Sequence, residues 1–196
     1  MHNHDNTFQQ IREALNNFEA FPYESPYFPE PTPSAVLVVL HLIGDQWHVL
    51  LTKRSENLTS HPGQISFPGG RVEPSDENLM ATATREASEE VGLSESLVEV
   101  FAELTPVTTL TGYTIHPYVA VIEDLPELTL QAAEVDSAFH VPLSWLINDD
   151  NISIVEKNIN GLDIKTFRLD WGTHIIWGAT AMMIAEMAHR LKDLNS

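Results

Sequence analysis

The chain has 196 residues, 43% of them hydrophobic, no cysteine, and ten Lys+Arg against 28 Asp+Glu for a formal charge of −18. That length and composition fit one packed domain with an extra element at an end, and exclude wholesale disorder, disulfides, zinc–thiolate sites and cysteine nucleophiles. So acidic a chain, with no basic run, is not expected to bind nucleic acid, and it would repel a phosphorylated small molecule unless divalent metal or local cations neutralised the site.

The opening residues MHNHDNTFQQ have no basic and apolar leader pattern, so no signal peptide is expected. Residues 7–18 space Phe8, Ile11, Leu15 and Phe18 as an amphipathic helix. The proline-rich segment 22–33 then reads as an extended connection, giving an N-terminal unit of residues 1–33 packing on a main domain of 34–196. Ala35–Leu42 is a continuous β-branched-rich run, the pattern of a strand buried on both faces. Trp47–Thr52 follows a Gly-Asp turn as a hairpin partner, and the short Ile65–Pro68 leads into Gly69-Gly70. Residues 77–91 form a helix, capped by Asp76 and ended by Gly92.

Strands are expected at Val98–Leu104, Thr114–Ile122 and Ala138–Val141, the last running into a short helix from Pro142. Ile152–Glu156 and Ile164–Leu169 flank Asn160-Gly161 as a second hairpin. A closing helix spans 178–192, with Arg190 and Lys192 in its last turn, where cations suit the helix dipole. Its methionines suit a core or a dimer surface, and the apolar chain ends are compatible with a homodimer. Ile175–Ala188, the longest apolar stretch, is too short to span a bilayer and carries Glu186, so no membrane segment is expected. The cytoplasm is the expected compartment. Strands mixed with three or four helices indicate an α/β fold, a mixed sheet sandwiched between helices.

The most informative segment is FPGGRVEPSDENLMATATREASEEVGL, residues 67–93. On its helix Glu86, Glu89 and Glu90 stand at i, i+3 and i+4, so their carboxylates share one face, with Arg85 able to reach Glu89. Three clustered carboxylates repel one another; the pattern suits hard divalent cations such as Mg²⁺ or Mn²⁺, or else a solvated acidic face. Gly69 and Gly70 precede the helix, where backbone can approach a phosphate, offer a carbonyl to a metal, or simply turn.

This segment resembles the Nudix box, whose closing half reads R-E-(aliphatic)-x-E-E-x-G-(aliphatic), here Arg85 to Leu93. Ala87 is smaller than the usual aliphatic, and the spacing from Gly70 to Arg85 is one residue longer than standard, with Glu77 at the usual distance from Arg85. The coenzyme A branch of the family carries a similar insertion, together with an upstream signature matched by LLTKRSENLTSHPGQISFPGG (50–70), including Arg54, Ser55, Leu58, His61, Gly63 and Gln64. Glu134-Val135 before AFHVPL, and Ile176–Ala181, also resemble stretches of that branch.

The resemblance implies the Nudix fold and a Mg²⁺- or Mn²⁺-dependent hydrolase that splits coenzyme A or acyl-CoA into 3′,5′-ADP and (acyl-)4′-phosphopantetheine. ADP-ribose, NADH, a nucleotide sugar or a nucleoside triphosphate is the alternative substrate, and a non-catalytic nucleotide-sensing module the alternative role. Glu86 and Glu90 would then be the first metal ligands, with Glu89 a further ligand or the group orienting water. Arg85 would position Glu89. Glu134 would be a further ligand or base, unless it is an ordinary loop carboxylate. Arg54, rather than its strand neighbour Lys53, would grip a phosphate, and coenzyme A's 3′-phosphate calls for at least one such cation. His61 would contact a phosphate or hold the Gly63 loop; Gly69 and Gly70 would face the substrate or metal; Gly112-Tyr113 could reach the nucleotide or pantetheine.

Overall fold

The computed structural model describes residues 2–17, 21, 30–159 and 162–195. Phe18, residues 22–29 of the proline-rich connection and the Asn160-Gly161 turn lie outside them. Helix α1 (His2–Asn16) is followed by strands β1 (Thr32–Ile43), β2 (Gln46–Arg54), β3 (Ile65–Ser66) and β4 (Gly69–Arg71), then helix α2 (Leu79–Val91). Strands β5 (Glu99–Glu103), β6 (Val107–Thr108), β7 (Tyr113–Ile122) and β8 (Val135–Pro142) lead to the four-residue α3 (Leu143–Leu146). The hairpin of β9 (Ser153–Ile159) and β10 (Leu162–Trp171), then β11 (His174–Trp177) and α4 (Ala179–Arg190), complete the fold.

The main sheet runs β3-β2-β1-β7-β5, with β4 on β1, β6 on β7 and β8 on β2. It is mixed, because β1 and β7 are parallel from Thr32↔Tyr113 to His41↔Ile122 while β1–β2 and β2–β8 are antiparallel. The uninterrupted apolar run of β1 follows from burial on both sides. Ala35, Leu37 and Val39 meet Ala83, Ala87 and Val91 of α2, whereas Val36, Val38 and Leu40 join Ile11 and Leu15 of α1 and Met183 and Met187 of α4. The methionines of the closing helix are therefore core. The sheet is sandwiched between helices, as expected for this α/β class. No helix among the described residues is long and apolar enough to cross a membrane.

Several expected boundaries move. Helix α2 begins at Leu79 with Asn78 as its cap, the Asn78 side chain accepting from the Ala81 amide at 2.9 Å; Asp76 is not the cap, because its carboxylate is taken by Arg85. Gly92 does end the helix, in the left-handed region at φ 75°. Gly69 and Gly70 are not merely a turn but form β4, paired with Val36 and Ala35. The apolar stretch 175–188 is broken at Gly178 into β11 and α4, a strand that periodicity merged with the helix. Nor does Arg190 serve the helix dipole from solvent. It is buried, and its guanidinium folds back onto Glu186.

Candidate active site

Helix α2 lies against β1 through residues small enough for a close approach: Ala83 and Ala87 are fully buried against Ala35 and Leu37. A bulkier residue at 87 would hold the helix off the sheet, which accounts for the departure at that position. Close packing also explains the two glycines, Gly69 against β1 and Gly70 against α2. A Cβ on Gly69 would lie 2.4 Å from the Ala35 carbonyl oxygen, and one on Gly70 would lie 2.4 Å from a carboxylate oxygen of Glu86. Glu86 therefore sits directly against the backbone of β4, and the Gly69 amide donates to Glu90 at 3.2 Å.

The three helix glutamates fan out over roughly a 100° arc, as i, i+3 and i+4 spacing dictates. Glu90 faces inward, with a side chain only 3% exposed; Glu86 is half-buried; Glu89 is 59% exposed. Arg85 holds the outer part of the arc, its guanidinium bonding Glu89 at 3.0 Å and lying 3.1 Å from Glu86. What the sequence reading missed is the anchor of Arg85. Asp76 accepts from its Nε at 2.8 Å and its Nη2 at 3.1 Å, and also takes the Thr82 hydroxyl and the Glu73 amide, both at 2.8 Å. These donors hold the Asp76 carboxyl far below the usual carboxylate range. Glu77, at the usual box distance from Arg85, is exposed. The signal for Asp76 lay in its place six residues before Thr82 and nine before Arg85, legible only once the loop is folded.

Arg54 comes from the end of β2, where the register slips, and points at Glu90 with 3.6 Å between the charged groups. Its Nε is buried without a hydrogen-bond partner among the described residues. Glu134 is exposed, but its segment is fixed on both sides: its carbonyl accepts from Ser55 at 2.8 Å, and the Gln131 amide bonds the Glu90 carbonyl at 2.9 Å. Its charge, with that of Glu86, pushes Glu90 further up. His61 stands apart in the left-handed region at φ 55°, its ring nitrogen 3.1 Å from the Gln64 side chain, so it braces the loop whose Gln64 carbonyl accepts the Arg54 amide. Tyr113 packs under Arg71, whose guanidinium lies 5.0 Å from the ring and bonds its hydroxyl.

Burial dominates the electrostatics. It raises Glu86, with Arg85 opposing, and lifts Glu90 to about 7 against the opposing pull of the Gly69 amide and Arg54. A pair of desolvated carboxylates is hard-oxygen donor chemistry suited to a divalent cation. Among the described residues no three acidic or histidine groups are disposed to hold a metal as they stand, since Glu89 is drawn away onto Arg85.

The raised Glu90 gives a stability signature in metal-free protein. Its proton is held from the ordinary 4.5 up to about 7, so its contribution is fully present below pH 4.5 and lost as pH rises through 7, about 3 kcal/mol in all. His41 acts oppositely: burial and the neighbouring His140 lower it to about 4, so stability rises with pH until about 6.5. The difference between wild type and Glu90→Gln isolates the first effect. In EDTA, melting curves are expected to coincide near pH 4.5 and diverge to roughly 6–12 °C in favour of the variant by pH 8. Parallel melting temperatures across that range would rule the shifted carboxyl out.

Residues 31–158 match the NUDIX domain family. A protein of Enterobacter sp. (strain 638) described as an uncharacterized Nudix hydrolase NudL is 38% identical over 158 residues, 79% of this chain and 80% of its own. One of the same description from Photorhabdus laumondii is 35% identical over 144 residues, 74% of this chain and 77% of its own. The crystal structure of a MutT/nudix family protein from Enterococcus faecalis superposes with a TM-score of 0.58 at 17% identity, covering 95% of this chain and 74% of that one, a likeness of fold.

Proposed function

The chain belongs to the Nudix family, a premise from which we propose a divalent-metal-dependent pyrophosphohydrolase that cleaves coenzyme A or acyl-CoA to 3′,5′-ADP and (acyl-)4′-phosphopantetheine. In this reading residues 34–196 are the hydrolase domain and 1–33 an appendage packed on it. The observation that carries it is the meeting of Arg54 with Glu90. Arg54 belongs to the upstream signature and Glu90 to the acidic helix, and the fold brings the two motifs, 36 positions apart in sequence, into one site.

Glu86 and Glu90 would hold the cation (Mg²⁺ or Mn²⁺), which, bound there, would neutralise charge developing on the diphosphate oxygens. The remaining work falls to the chain's own groups. Glu89 or Glu134 would take the proton of the attacking water, Arg85 would orient Glu86 and Glu89 through its anchor on Asp76, and Arg54 would face the phosphates. Gly70 leaves the room that the Glu86 carboxylate occupies against β4. His61 would hold the signature loop rather than touch substrate.

The test is phosphopantetheine release from coenzyme A with Mg²⁺, Mn²⁺ or EDTA, run beside ADP-ribose and NADH. Metal-dependent turnover strongest on coenzyme A is the expected result. Turnover confined to another diphosphate would discard the substrate and keep the chemistry; a folded protein inert on all of them would favour a sensing role.

A further inference from the structure

Arg54 and Glu90 meet, but their contact is incomplete. The two oxygens of Glu90 are differently engaged: Oε2 accepts the Gly69 amide at 3.2 Å, and Oε1 faces Arg54. Arg54 Nη1 stands 3.6 Å from that oxygen, beyond hydrogen-bond range, and its Nε is buried with no partner among the described residues. Charge rather than hydrogen bonding therefore holds the pair. The neighbouring cations are settled by comparison. Arg85 is anchored on Asp76 at 2.8 Å, and Lys53 lies between Glu56 at 3.2 Å and Asp136 at 3.4 Å.

The two partners differ in their freedom to move. Arg54 is fixed at its backbone, where its amide donates to the Gln64 carbonyl at 2.9 Å. Beyond that point it is a long side chain, 23% exposed, whose head can swing while the strand stays in place. Glu90 has no such latitude, because its side chain is 3% exposed and tied to β4 through Gly69. The oxygen that Glu90 leaves open to a metal is therefore Oε1, the one that Arg54 faces. Two cations at one desolvated oxygen repel far more strongly than they would in water. Of the groups around that oxygen, Arg54 is the one able to leave.

We propose that Arg54 is a placeholder cation: it pairs with Glu90 in metal-free protein, yields Oε1 when a divalent cation binds, and turns its freed guanidinium to a substrate phosphate. The exchange rests on the reading of Glu86 and Glu90 as metal ligands and of the substrate as a diphosphate. It gives the site an order of assembly, metal before substrate, since the phosphate-binding cation stays engaged until the metal arrives. Arg54 then acts on the two ligands with opposite sign, opposing the metal and favouring the substrate. A residue that merely props the site would move both in the same direction.

Calorimetric titration with Mg²⁺ at about pH 8.5, where carboxylates are ionised, and with no phosphate present, tests it. Arg54→Gln is expected to bind Mg²⁺ about 10-fold more tightly than wild type. Arg54→Lys, which keeps the charge, and Lys53→Gln, which removes a neighbouring one, should each stay within about twofold. Losing Arg54 also favours the proton on Glu90, which works against the metal, so tighter binding is not a protonation effect. At saturating Mg²⁺, Arg54→Gln should raise the KM for coenzyme A about 10-fold. Unchanged or weaker Mg²⁺ binding in Arg54→Gln, with a melting curve showing it folded, would overturn the proposal. The readings fail separately. Mg²⁺ binding that survives in Glu90→Gln removes the metal site and the exchange with it. Binding lost in Glu90→Gln but not gained in Arg54→Gln removes only the exchange. Tighter binding by Arg54→Gln in a protein inert on coenzyme A supports the exchange and removes only the substrate.

Discussion

Glu86→Gln and Glu90→Gln are each expected to lower kcat/KM on the preferred diphosphate by about a thousandfold or more while the protein stays folded. The two carboxylates occupy positions that only they can fill. Glu86 lies against the β4 backbone at Gly70, and Glu90 is buried between the Gly69 amide and Arg54, so both have fixed positions. A glutamine keeps the shape and can still accept the Gly69 hydrogen bond through its carbonyl oxygen, but it is a far weaker ligand for a hard cation.

Glu90→Gln also separates catalysis from stability in an unusual way. Because burial disfavours the charged form of Glu90, the variant is expected to be more stable than wild type above pH 7 and yet inactive. Glu89→Gln provides the contrast. Its carboxylate is exposed and engaged by Arg85, so its loss should be smaller unless it is the group that takes the proton. Steady-state kinetics over a range of Mn²⁺ and Mg²⁺ concentrations, with a melting curve for each variant, decides the matter. More than a tenth of wild-type turnover in both Glu86→Gln and Glu90→Gln at saturating metal would sink the assignment.

What could be read from the sequence was what depends on local spacing. β1 announced itself because a strand buried on both faces needs no alternation, and the acidic helix because glutamates three and four apart must share part of a helix surface. Spacing alone, however, treated the three glutamates as equivalent. Only packing separates them, since the face of α2 that carries Ala83 and Ala87 onto the sheet takes Glu90 with it and leaves Glu89 outside. The Asp76–Arg85 anchor was missed for a related reason. The cap assignment used the residue type of Asp76 correctly but not the path of the loop, which turns its carboxylate toward Arg85 and leaves the cap to Asn78. Arg54 meeting Glu90 needs the sheet and the helix in place together, and no periodicity carries that. β11 was lost because three apolar residues before an apolar helix have no signature of their own; the break lies in the backbone of Gly178.

The largest structural effect is expected far from the site, at Arg190. Its side chain and that of Glu186 are 1% and 2% exposed, paired at i, i+4 in the interior. The guanidinium also donates to the carbonyls of Leu15 at 2.7 Å and Glu103 at 3.0 Å, while Glu186 accepts from the amide and hydroxyl of Thr105 at 2.9 Å and 2.7 Å. One ion pair thus joins the last turn of α1, the end of β5, the following loop and α4, and it satisfies backbone groups that have no ladder partner there. Arg190→Met removes the cation and strands a buried carboxylate with two carbonyls, a loss of about 3–5 kcal/mol for a broken buried pair. For a chain of this size that lowers the melting temperature by roughly 6–20 °C.

Adding Glu186→Leu to Arg190→Met removes the stranded charge and should recover part of the loss, though not all, because Thr105 and the two carbonyls stay unsatisfied. Glu186→Leu alone, which leaves Arg190 buried without its carboxylate, should be as damaging as Arg190→Met. A double-mutant cycle by thermal unfolding at pH 7 reads the coupling directly. Additive losses in the double variant, or a drop below about 2 °C in Arg190→Met, would mean that the pair is a bystander and that α1 is held to the sheet by its other contacts, among them Phe8, Ile11 and Leu15. Partial rescue would instead identify this buried pair as the joint between the N-terminal helix and the catalytic sheet.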